Sequence, residues 1–127
     1  MIIKHASVRV KSTDHLPMYH DVTDFVKEEL VKSGVQNGIC TVYSHHTTCC
    51  VVIQEASHDK NFYGREFLQQ DLNDIMDRLI PRCTSEGQYM HPGPEHIEWS
   101  TGPAVGDLPI YCLNTDAHLR SVIFGRS

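Results

Sequence analysis

Nine histidines in 127 residues are the chain's most unusual chemical feature. His46, His91 and His118 stand out, because each lies at the start or end of a predicted element, where a side chain can face a cleft. Three imidazoles with an open fourth position suit zinc or a similar divalent ion. Such an ion would polarise an oxygen or organise a phosphate. No two of the three form an H-x-x-x-H pair, so spacing alone does not define a metal site. His5, His15, His20, His58 and His96 read as structural or surface residues. His46 belongs to the stretch His45-His46-Thr47-Thr48-Cys49-Cys50-Val51-Val52-Ile53-Gln54-Glu55. Thr47 and Thr48 can donate to a phosphate or to backbone. Glu55, after an apolar run, reads as a general base, a partner that fixes a histidine tautomer, or an end-of-strand charge. Cys49 and Cys50 lack a nearby helix N-terminus or basic residue to lower their pKa, which argues against a cysteine nucleophile.

The elements that must position these groups follow from periodicity. Residues 2–10 alternate and predict a half-buried strand. Residues 38–44 and 49–54 predict two more, with 51–53 apolar on both faces and therefore central. From Asp21 the period becomes helical through Val22, Phe25, Val26, Leu30 and Val31, with Asp21 or Thr23 as cap and Gly34 as stop. Residues 57–64 predict a loop anchored by Phe62 and Tyr63. Residues 65–80 predict a second helix with Phe67, Leu68, Leu72, Ile75, Met76 and Leu79 inward and Pro81 preventing continuation. Asp71, Asp74 and Asp77 share one side of it. Asp74 and Asp77 read as a solvated face, whereas Asp71 borders the apolar stripe. Residues 82–113 form a long irregular segment holding Pro92, Pro94, Pro103 and Pro109, with a short strand at 108–113 and Trp99 packed. A short helix follows, capped by Asn114, Thr115 or Asp116, carrying Ala117, Leu119, Val122 and Ile123, and stopped by Gly125.

Composition bounds the function. A 127-residue chain that is 40% hydrophobic and 21% charged reads as one ordinary globular domain. The net charge is −5, and the 11 Lys and Arg are scattered, which argues against nucleic acid. No signal peptide or membrane span is evident. The five cysteines have no C-x-x-C spacing and read as reduced thiols, which predicts a cytoplasmic protein.

Taken in order, four segments resemble the YjbQ-type family of secondary thiamine-phosphate synthases. They are His46-Thr47-Thr48 with Gln54-Glu55; Asp71-Leu72 running through a helix to Pro81; Tyr89-Met90-His91; and Asn114-Thr115-Asp116-Ala117-His118-Leu119-Arg120-Ser121 with Gly125. The resemblance implies an α+β fold, a mixed β-sheet flanked by two main helices, in a single domain over residues 1–127. It also implies a homotrimer and a reaction that joins a hydroxymethylpyrimidine diphosphate to a thiazole phosphate and releases pyrophosphate. Carried over by position, the metal ligands become His46, His91 and His118, and the catalytic carboxylates become Glu55 and Asp71. The chain departs from the family pattern in having Gln54 where Asn is usual, in longer spacings before Asp71 and before His118, and in a short C-terminus that leaves out strands of the sheet.

On this reading the chain is a metal-dependent transferase with weak thiamine-phosphate synthase-type activity on a small phosphorylated metabolite, Thr47, Thr48 and Arg120 assisting at the phosphates. The alternative is a non-catalytic metal- or metabolite-binding homo-oligomer. Carboxylates beside the ion favour catalysis, and distant ones favour binding. If Thr47 and Thr48 turn a tight hairpin, roughly 20 Å of strand separates His46 from Glu55. Glu55 then serves a neighbouring subunit's site, unless the chain bends.

Overall fold

The computed structural model describes residues 2–12 and 16–125. His15, read above as a surface residue, lies outside them. Two compact units are distinguished, Met1–Thr41 and Val42–Ser127.

The first unit carries α1, Thr23–Ser33. The Asp21 carboxylate accepts the Thr23 backbone N–H at 2.9 Å, just ahead of the helix. Gly34 ends α1 in the left-handed conformation at φ 68°, where a side chain would be strained. The expected start and stop are therefore both present. The inward face is not, because α1 has no buried residue.

The second unit carries α2 (Phe67–Leu79), α3 (Pro94–Thr101), a 3₁₀ turn (Pro109–Cys112) and α4 (Thr115–Phe124). Asn61 organises the approach to α2. Its side-chain oxygen accepts the backbone N–H groups of Tyr63 and Arg65, each at 3.0 Å. An isolated bridge between Lys60 and Glu66 closes the loop. Phe62 and Tyr63, expected to anchor it, are almost fully exposed.

The expected mixed sheet is absent. Among the described residues there is one isolated bridge and no strand ladder, so the chain is helical where it is regular. Residues 2–10, 38–44 and 49–54 pair with nothing as strands, and Ile39 and Ile53 are 96% and 105% exposed. Alternation states which side chains share a face. A strand also needs a neighbour for its backbone N–H and C=O groups, and none lies beside these segments.

The segment 82–113 is more regular than expected. Gly93 and Pro94 start α3, with proline in the first turn where its missing N–H costs nothing. Residues 109–112 wind into the 3₁₀ turn instead of a strand. Ser100 and Asp107 tie α3 to the following turn through Asp107 N–H to Ser100 O at 3.0 Å and a side-chain contact at 3.2 Å.

The core of the second unit is small and mixed. Met76, Ile80, Cys83 and Cys112 are buried together with Asn73, Ser100, Thr115, Arg120 and Ser121. Helix α4 reverses its expected amphipathicity. It buries Thr115, Arg120 and Ser121 while Leu119, Val122 and Ile123 are exposed. Hydrogen bonds to three separate parts of the chain hold that polar side inward.

Candidate functional site

Helix α4 holds the site together. Thr115, His118 and Ser121 are three residues apart and therefore share one side of the helix. The Thr115 hydroxyl donates to the His91 carbonyl. The Ser121 hydroxyl lies 2.5 Å from the Thr47 carbonyl and 2.9 Å from the His118 carbonyl. One helical row thus fixes the backbone at residue 91 and at residue 47, and carries an imidazole between those two attachments. This is how residues 46, 91 and 118, far apart in sequence, reach one region.

The rings meet there. His91 and His118 have centroids 5.8 Å apart at 88°. His91 also meets His96, at 4.5 Å and 63°, and His96 meets Trp99 at 5.7 Å. His46 lies close enough to His118 to act on its charge. Burial lowers the His118 pKa, with the charges of His91 and His46 adding to the effect, while a hydrogen bond with the Thr47 backbone opposes it. Burial likewise lowers the His91 pKa, and His96 adds to that. In both imidazoles the neutral form, the form that binds metals, is favoured.

His46 sits in a turn. Cys49 N–H donates to His46 O at 3.2 Å. The Thr48 N–H donates to His46 Nδ1 at 3.2 Å, and the Thr48 hydroxyl lies 2.9 Å from the same atom. The local hydrogen-bonding capacity of His and Thr takes the place of a glycine or asparagine at this turn.

The remaining expected site residues stand elsewhere. Glu55 and Asp71 are exposed. The groups that shift His91 and His118 are other histidines and the Thr47 backbone, with no carboxylate among them. Arg120 is buried. Its Nη2 bonds Asp77 at 2.7 Å and the Ile80 carbonyl at 2.5 Å, with Asp116 at 3.9 Å. Asp116 in turn accepts the Cys83 N–H at 3.1 Å. Asp77, read as a solvated charge, thus pairs with a buried cation. The Cys50 thiol is pushed up, chiefly by burial, away from nucleophilic reactivity. The five cysteines are free thiols.

His96 and Ser121 were missed from sequence. The Gly93-Pro94 helix start was the available signal for His96. It makes residue 96 part of a first turn, and a side chain in a first turn leans back over the preceding chain.

Two imidazoles on one tetrahedral ion, each bonded at about 2.0–2.1 Å, have ring centroids roughly 5 Å apart. The pairs at 4.5 and 5.8 Å bracket that value. Among the described residues, no three metal-ligating side chains are gathered so as to hold one as they stand. A groove of about 520 Å³ lies along the 86–98 segment. Tyr89, Met90, Pro92 and Ile97 line it with two carboxylates, Glu86 and Glu98, and it includes no imidazole. No helix among the described residues is long and apolar enough to cross a membrane.

A UPF0047 protein from Methanothermobacter thermautotrophicus is 26% identical over 107 residues, covering 84% of this chain and 55% of the relative. The chain thus spans about half the length of the curated relative it matches. No solved structure matches. The family model for UPF0047 proteins of YjbQ-like type matches residues 6–127, so the chain belongs to that family.

Proposed function

We propose that this chain is a binding protein for a divalent ion, zinc by donor type, and through it for a small phosphorylated metabolite. The observation that carries the reading is the perpendicular His91–His118 pair, half-buried and braced from behind by Thr115 and the Thr47 backbone. His46, with Thr47 and Thr48, lies at the edge of that pair. When bound, the ion would polarise phosphate oxygens. The protein's own residues hold the imidazoles in register and keep their protons off the ligating nitrogens.

Binding is favoured over catalysis because neither Glu55 nor Asp71 acts on the imidazoles. The transferase reading, thiamine-phosphate synthase-type with release of pyrophosphate, rests on family membership alone. In either reading the chain assembles as a homotrimer.

Elemental analysis of the purified protein tests the proposal. The expected result is about one divalent ion per chain, lost in His91→Ala and His118→Ala with far-ultraviolet circular dichroism unchanged. Metal content untouched by both substitutions would overturn it. A pyrophosphate-release assay with the two heterocyclic phosphates separates binding from transfer, and light scattering at three chain masses checks the trimer.

A further inference from the structure

The loop ahead of α2 holds its own tip away from the chain. Asn61 N–H donates to Arg65 O at 2.8 Å and Gly64 N–H to Asn61 O at 2.9 Å, beside the two backbone N–H groups that the Asn61 side chain accepts. Asn61 Nδ2 donates to Gln70 Oε1 at 3.2 Å, and Arg65 Nη1 donates to the same oxygen at 3.2 Å. At the base, Phe67 N–H donates to Asp59 O at 3.0 Å and Ser57 N–H to Glu66 Oε2 at 2.9 Å. Gly64 turns the chain at φ 78°. This frame lifts Phe62 and Tyr63 to 97% and 89% exposure, with their rings edge-to-face at 5.4 Å. Two aromatic rings on a loop fixed in advance lose little conformational freedom when a partner buries them, which is the character of an interface anchor.

The groove along 86–98 has the matching character. Tyr89, Met90, Pro92 and Ile97 give it apolar walls, and Glu86 and Glu98 give it negative charge. Its volume, about 520 Å³, lies in the range that takes a drug-sized ligand and so admits two aromatic rings. Neither Phe62 nor Tyr63 lines it, so the chain does not fill it with its own tip. The tip from Lys60 to Arg65 carries two cations and no anion. Lys60, Glu86 and Glu98 are all exposed. Apolar surface therefore meets apolar surface, and opposite charges meet at its border.

We propose that the Phe62–Tyr63 tip of one copy docks in the 86–98 groove of the next, joining copies of this chain head to tail. Each copy offers one tip and one groove, and a contact of this kind closes into a ring. The two rings bring about 300–500 Å² to an interface whose usual size is roughly 800 Å² per partner. The loop and α3, which supplies Ile97 and Glu98 to the groove, occupy the two longer spacings by which the chain departs from the family pattern, so the contact is this chain's own. The inference rests on the homo-oligomer part of the reading above and is independent of the metal.

Light scattering on the full chain tests it. Wild type is expected at three chain masses. Phe62→Ser with Tyr63→Ser removes the tip, and Glu86→Lys with Glu98→Lys sets like charge against Lys60. Each double variant is expected at one chain mass. The four positions are exposed, and circular dichroism checks each fold. An equimolar mixture of the two variants is expected at two chain masses, because one intact tip meets one intact groove and no second contact remains. Variants that dissociate yet fail to pair when mixed would overturn the head-to-tail arrangement. Both variants staying at the wild-type mass would overturn the tip-to-groove contact and leave the homo-oligomer standing. Wild type at one chain mass would overturn both. Sedimentation of that monomer with phosphatidylserine vesicles, lost in the tip variant, would assign the tip to a membrane surface instead.

Discussion

At the scale of the residue, His118 is the group whose environment is most specific. Burial and three neighbouring imidazoles, His91, His46 and His96, disfavour its protonated form. The unfolded chain therefore takes up protons first as pH falls from the ordinary histidine value near 6.5. The stability that neutral His118 contributes is complete above that value. It is lost as pH drops through the lower folded pKa. The melting temperature of the wild type is expected to fall between pH 7 and pH 5, and His118→Gln should flatten that slope. An unchanged slope in the variant would assign the loss to other groups. His91 and His118 were legible in the sequence because both close a predicted motif at an element boundary. The tautomer of His46 was not, since it depends on which way the Thr48 N–H points once the turn has formed. Arg120 shows the same limit. A basic residue one turn from a candidate ligand reads as a phosphate contact, and only packing reveals that Asp77 and the Ile80 carbonyl hold it inside.

At the scale of the element, that arginine joins α4 to α2. The guanidinium is buried, while its partner Asp77 is partly exposed, at 44% for the side chain. Removing Asp77 leaves the cation buried with Asp116 only at 3.9 Å. Asp77→Ala is expected to cost about 2–3 kcal/mol, below the range for a fully buried pair because water reaches the carboxylate. Arg120→Met removes the charge with its stem volume retained and should cost less. Urea denaturation of both variants checks the order; Arg120→Met being the more destabilising would mean that the arginine's bond to Ile80 outweighs its pairing. Helix boundaries were the most legible elements. Gly34, Pro81 and Gly125 act through backbone geometry that a residue carries wherever it sits. The inward side of α4 was not legible, because polar residues that bind three distant segments look the same in sequence as polar residues in water. Helix α3 went unseen because its eight residues are too few for a periodic signal.

At the scale of the whole chain, family membership was legible and the sheet was not what the structure holds. The family match runs over residues 6–127, and all four motifs fall within it. Strand formation depends instead on a partner for each edge. The extended stretches at 38–44 and 49–54 carry apolar side chains such as Ile39 and Ile53 in the open, so nothing in this arrangement rewards pairing there.

The tie between Ser121 and the Thr47 carbonyl has a kinetic consequence. It joins residues 74 positions apart, a closure whose entropy must be overcome before the contact contributes anything. Such contacts form late, after the local helices. The imidazole cluster is therefore the last part of its unit to assemble and the first to open. Ser121→Ala removes a hydrogen bond worth about 1 kcal/mol. In stopped-flow measurements it should raise the unfolding rate roughly fivefold while leaving the folding rate nearly unchanged. A ligand that bridges the cluster would act on the same step, slowing escape from the native state more than it speeds arrival.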